Sequence, residues 1–122
     1  MQKSKGFKMF DFQYKKQKET IIVKLTGYLE LYNLEKIRDF VESKLIHEKN
    51  IIFECKNLVL LDSAGLGLIF KLIEQEEKKK TKKIIFVSLN SQIKKMFNDT
   101  KLYDYFEYFD SIKSAKEEIN KK

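Results

Sequence analysis

A chain of 122 residues, 43% of them hydrophobic, can build one core but not two; the expectation is a single domain over residues 1–122, with 1–8 and 120–122 flexible. Charged residues make up 35% and interleave with periodic apolar positions, which excludes a disordered chain. The net charge of +7 raises a nucleic-acid reading, but the densest cluster, Lys78-Lys79-Lys80-Thr81-Lys82-Lys83, follows Glu74, Glu76 and Glu77 at an expected helix end, where cations complement the dipole. Arg38 is the only arginine, so the bidentate fork that reads phosphates and bases is scarce and no direct nucleic-acid partner is expected.

The basic start Met1–Gly6 leads to Asp11 without the apolar stretch of a signal sequence. No segment approaches the roughly 18 uninterrupted apolar residues of a membrane span, and the expectation is a soluble, cytoplasmic protein.

Phe10, Phe12 and Tyr14 alternate with polar residues as in a half-buried strand. A polar turn at Lys16–Lys18 leads into a second strand carrying Ile21, Val23 and Leu25, paired with the first as a hairpin and ended by Gly27. Asn33 reads as the N-cap of an amphipathic helix running to about Glu48, with Leu34, Ile37, Val41 and Leu45 on one face. Ile51-Ile52-Phe53 has the β-branched and aromatic content of a buried central strand, and Cys55 after it reads as a small buried hydrophobe. Ile84–Leu89 repeats the buried-strand pattern. A short helix then carries Ile93, Met96 and Phe97, an aromatic segment runs from Leu102 to Phe109, and Ser111 caps a last helix with Ile112, Ala115 and Ile119. Alternating strands and helices imply an α/β fold whose mixed sheet has parallel central strands.

The apolar run Leu58–Leu61 breaks at Asp62-Ser63 and resumes with helical spacing at Leu66, Ile69, Leu72 and Ile73. Ser63 therefore occupies or adjoins an N-cap, and Gly65 and Gly67 in the first turn, each costing about 1 kcal/mol against Ala, leave the surface beside it low and open. Taken on spacing alone, this is a structural cap with two packing glycines.

The string Leu61-Asp62-Ser63-Ala64-Gly65-Leu66-Gly67 closely resembles the Asp-Ser-(Ser/Thr/Ala)-Gly-Leu-Gly signature of the STAS domain in bacterial anti-sigma factor antagonists. Leu25-Thr26-Gly27-Tyr28-Leu29-Glu30 is similar to the family's strand ending in Gly-Glu-Leu-Asp, with Tyr28 in place of the usual acid and Glu30 in place of the usual Asp. The resemblance implies one STAS-like domain, a mixed, mainly five-stranded sheet with about four helices packed on it. It implies that Ser63 is the phosphorylated residue, and that Asp62, Ser63, Ala64, Gly65 and Gly67, with Glu30 and Asn33, form the partner-binding surface. It further implies partner switching: the unmodified protein, a monomer when free, binds an anti-sigma factor that is also a serine kinase and so releases a sigma factor. Phosphorylation ends that binding, and a metal-dependent serine phosphatase restores it. The alternative within the same fold is a STAS subunit of another assembly, such as a lipid transporter or another signalling complex.

The residues present offer little for catalysis. His47 and Cys55, each the only one of its kind, lack metal-ligand spacing, and Gly65-Leu66-Gly67 is followed by neither a third glycine nor Gly-Lys-Ser/Thr. No metal, no cofactor and no catalytic residue of this chain's own is expected. A serine hydrolase using Ser63 is the reading from another class, and it would have only His47 as base and no Gly-x-Ser-x-Gly elbow.

Overall fold

A computed structural model of the chain describes residues 9–79, 83–100 and 106–121, with the side chains of 73–79 outside that description. The chain runs β1 (Phe10–Gln17), β2 (Thr20–Leu29), α1 (Glu35–Ser43), β3 (Asn50–Leu61), α2 (Ser63–Lys79), β4 (Lys83–Val87), α3 (Ser91–Asp99), β5 (Glu107–Phe109) and α4 (Ile112–Asn120). One five-stranded sheet has the order β1-β2-β3-β4-β5. The hairpin β1–β2 is antiparallel and the other pairs are parallel, so the expected mixed α/β sheet with four helices is what the chain forms.

Where a single core was expected, alternation along the central strands divides the apolar side chains between two, one on each face of the sheet. Ile21, Val23 and Leu25 of β2, Ile51, Phe53 and Cys55 of β3, and Ile84 and Phe86 of β4 enter the larger one, together with residues of α1, α2 and α3. Their neighbours Ile22, Ile52, Ile85 and Val87 point the other way and are covered by Ala115, Ile112 and Ile119 of α4. Burial on both faces explains why these strands read as continuous apolar runs. Phe86 centres the larger core, with the rings of Phe53, Phe97 and Phe106 at 5.0–5.2 Å between centroids. At the sheet edge, Phe12 and Tyr14 lie 4.9 and 4.6 Å from the Phe40 ring of α1.

Several boundaries differ from expectation for local reasons. The hairpin turns at Lys18-Glu19 rather than Lys16–Lys18, because Gln17 still pairs with Thr20 and Lys18 takes a left-handed φ of 57°. Gly27 does not end β2. It sits at φ 95° where a Cβ would fall 2.2 Å from the Met9 carbonyl oxygen, and the strand continues past it to Leu29. Register shifts on either side, between Lys24 and Thr26 and between Gly27 and Tyr28, mark bulges that re-aim the strand end. Helix α1 stops at Ser43, and a 3-10 turn over Leu45–His47 replaces its expected last turn. β3 is one strand of twelve residues, so Ile51–Phe53 and Leu58–Leu61 are its two ends, and Cys55 is buried within it. β4 ends at Val87 because Ser88, at φ 63°, turns the chain. Of the aromatic segment Leu102–Phe109, residues 101–105 lie outside the description and β5 occupies Glu107–Phe109. Lys80, Thr81 and Lys82 of the lysine cluster, and Lys122, also lie outside it. The Ser111 cap is as expected, its hydroxyl accepting the Ser114 N–H at 3.1 Å.

Candidate functional site

The carboxyl ends of β2 and β3 lie side by side, Leu29 opposite Leu61, and the segments leaving them converge. Asp62 joins the two. Its Oδ1 accepts the Gly65 N–H at 2.8 Å and its main-chain oxygen accepts the Leu66 N–H at 2.9 Å, which is N-cap geometry for α2. Its Oδ2 accepts the Leu31 N–H at 3.0 Å, and its own N–H donates to the Leu29 carbonyl at 3.2 Å. Asp62 therefore caps, and Ser63 is the first helical residue. That placement releases the Ser63 hydroxyl from structural duty: the residue is exposed, and among the described residues its side chain makes no hydrogen bond.

The two glycines differ. Gly65 is buried, and a Cβ there would lie 2.7 Å from the Leu29 carbonyl oxygen and 2.9 Å from Leu29 Cγ. It allows α2 to pack hard against the end of β2. Gly67 faces open space, with nothing within 4 Å of a Cβ. Four positions on from Ser63, it lies on the same side of the helix. Ala64 is half-buried against the larger core.

Glu30 is half-buried across the gap, and its main-chain oxygen accepts the Asn33 N–H at 2.8 Å. Asn33 does not cap α1 as its sequence position suggested. It lies in a 3-10 turn over Leu31–Asn33, the α1 N-cap position is Leu34 with no side-chain cap, and Asn33 Nδ2 instead donates to the Tyr28 carbonyl at 2.8 Å. That bond closes the loop on itself and presents Leu31 and Tyr32, which are 62% and 88% exposed. Sequence periodicity marks neither of them. Two large side chains between Gly27 and an amphipathic helix, outside any apolar period, were the available signal.

The resulting surface carries the unbonded Ser63 hydroxyl at the positive end of a seventeen-residue helix, low relief at Gly67, the carboxylates of Asp62 and Glu30, and the exposed side chains of Leu31 and Tyr32. The single histidine does not approach Ser63. His47 belongs to the 3-10 turn before β3 and Ser63 follows its far end, so most of the strand, roughly 35 Å at 3.3 Å per residue, separates them. Among the described residues no three His, Cys, Asp or Glu side chains group as metal ligands, and no helix is long and apolar enough to cross a membrane.

The pattern of the STAS domain family matches residues 11–115, which spans β1 to α4 and includes the whole site. The chain belongs to the STAS domain family. No curated protein sequence matches it. Among solved structures, this STAS domain is similar to the Bacillus cell fate determinant SpoIIAA in its phosphorylated form, with 21% identity, 90% of this chain and 100% of that chain covered, and a TM-score of 0.71. It is similar also to the unphosphorylated anti-sigma factor antagonist SpoIIAA, at 21% identity, 89% and 96% coverage and a TM-score of 0.74. An anti-sigma factor antagonist from Mycobacterium paratuberculosis aligns with a TM-score of 0.76 over 93% of this chain and 96% of that one, at 14% identity. At these identities the likeness is one of fold.

Proposed function

We propose that this STAS domain is a cytoplasmic anti-sigma factor antagonist that works as a phosphorylation-controlled binding module. In this reading, the unmodified surface around Ser63 binds an anti-sigma factor that is also a serine kinase, so that a sigma factor is released. Phosphate on Ser63 ends the binding, and a metal-dependent phosphatase removes it. ATP and metal belong to those partners. The observation that carries the reading is the exposed, unbonded Ser63 hydroxyl beside a cap supplied by Asp62.

A phosphate of about −1.5 to −2 at the first position of a helix interacts favourably with its dipole, so modification leaves the fold standing. The effect falls on the interface. Leu31 and Tyr32 offer apolar anchors, and Glu30, Ala64 and Gly67 offer a surface suited to a neutral hydroxyl. A dianion there would have to be desolvated next to Asp62 and Glu30, whose charges it opposes.

The test is a binding titration and a phosphorylation assay with the cognate kinase. Ser63→Ala should take up no phosphate and keep its affinity, while Ser63→Asp should bind weakly and melt near the wild-type temperature. Equal phosphate in Ser63→Ala, or wild-type affinity in Ser63→Asp, removes the switch from this residue.

A further inference from the structure

At the opposite end of the sheet from Ser63, the amino ends of β2, β3 and β4, the β1–β2 turn and the last turn of α4 enclose a cleft of about 780 Å³. This is within the range of small-molecule sites. Lys18, Lys49, Lys83, Lys116 and Lys121 line it. Glu19 pairs with Lys49 at 3.3 Å, Glu107 and Glu118 with Lys83 at 3.2 and 3.7 Å, and Glu118 with Lys121 at 3.2 Å. Five ammonium groups thus meet three carboxylates. The excess rests on Lys18 and Lys116, which have no carboxylate partner among the described residues.

Asn50 adds an independent indication. It is 92% buried, being 8% exposed, and lines the same cleft. Its main-chain N–H donates to the Glu19 carbonyl at 3.2 Å, while its carboxamide makes no hydrogen bond among the described residues and reaches solvent. A carboxamide that lines a basic cleft and is not committed to a protein partner has two donors and an acceptor to offer an occupant.

We infer that this cleft is a second binding site, for a small anion carrying two or more phosphate or carboxylate groups. Lysines act as point charges without the planar fork of arginine, so the site selects multiple charge, and Asn50 supplies a directed hydrogen bond. The concave shape between the hairpin turn and α4 suits a small molecule rather than a duplex. The inference stands independently of what Ser63 does, because β3 separates the two sites along its whole length.

The experiment is an amide chemical-shift titration of the full chain with sodium pyrophosphate and, separately, sodium citrate, against sodium chloride at matched ionic strength. Saturable shifts are expected at Thr20, Asn50, Lys83 and Lys116 with either or both multivalent anions, and the tighter arm tells a phosphate ligand from a carboxylate one. The Lys18→Gln/Lys116→Gln pair, the first exposed and the second half-buried, should weaken the affinity several-fold with the spectrum otherwise intact. Asn50→Ala should weaken it as well. Shifts that sodium chloride reproduces, that spread equally to distant Lys56 and Lys95, or that survive the double lysine variant would overturn the site. So would binding of a short DNA duplex in the absence of any response to both small anions.

Discussion

Asp62 and Leu31, distant in sequence, are fastened by a 3.0 Å hydrogen bond from the Leu31 N–H to Asp62 Oδ2, while the other carboxylate oxygen caps α2. One side chain thereby fixes both halves of the candidate surface: the helix that carries Ser63 and the loop that carries Glu30, Leu31 and Tyr32.

Removing both bonds should be expensive. Asp62→Ala should lose about 2–4 kcal/mol, the sum of a cap and a hydrogen bond to a charged group. Asp62→Asn retains one acceptor oxygen and should lose about half of that. Denaturant unfolding with an unchanged slope is the measurement, and equal stability of Asp62→Ala and wild type would contradict the clamp.

Ser63 should be thermodynamically silent by contrast. With the cap supplied next door, Ser63→Ala should alter stability by no more than about 0.5 kcal/mol, as an exposed substitution without lost contacts. A loss as large as that of a true N-cap would show that the hydroxyl has a structural bond.

Alanine at the two glycines should act in opposite directions. Gly67→Ala meets open space and should stabilise the helix by about 1 kcal/mol, whereas Gly65→Ala forces a methyl onto Leu29 and should destabilise by about 1–3 kcal/mol. Thermal melts of both variants decide this. If Gly67→Ala also weakens partner binding while raising the melting temperature, the low relief at that position serves recognition.

Asn90 has a double task that its residue type conceals. Its Oδ1 accepts the Ile93 N–H at 2.8 Å to cap α3, and its Nδ2 donates to the Leu58 and Val59 carbonyls, both at 3.2 Å. Aspartate caps equally well but would turn a carboxylate oxygen toward two carbonyls. Asn90→Asp should therefore lose about 2 kcal/mol in denaturant titrations, despite the preserved cap.

Burial raises the Cys55 thiol well above its ordinary value, with Glu54 adding to the shift. The folded chain keeps this proton where the unfolded chain releases it, so the contribution to stability is full below the unfolded thiol value of about 8.5 and declines as pH rises beyond it. Native protein should resist thiol reagents until it unfolds, and Cys55→Ala should show a shallower alkaline decline in stability. Rapid labelling of the native thiol would refute this.

The sequence was most legible where burial imposes a period. Ile21 to Leu25, Ile51 to Phe53 and Ile84 to Val87 declared their strands because alternating side chains enter two separate cores. The motif Asp62–Gly67 located the exposed serine, since small residues and a cap are local matters. What it could not divide was labour within the motif: that Asp62 caps, that Gly65 packs inward and that Gly67 faces open space depend on Leu29 and Leu31, about thirty positions earlier. Asn33 misled for the same reason. Its type and position fit a cap, but its amide goes to the Tyr28 carbonyl, a partner created by the bulged end of β2. Gly27 likewise marks a close approach of Met9 within a continuing strand, which local turn chemistry cannot distinguish from a strand end.

The strand order β1-β2-β3-β4-β5 places each strand beside the one synthesised just before it. As the chain emerges from the ribosome, every new strand meets an edge that is already present, and none has to wait for a later segment to slot in between. Translation and assembly can therefore proceed in the same direction, with the β1–β2 hairpin as the first template. The Ser63 helix then arrives against the larger face before β4 and β5 extend the sheet, so the candidate surface takes shape early in the life of each copy.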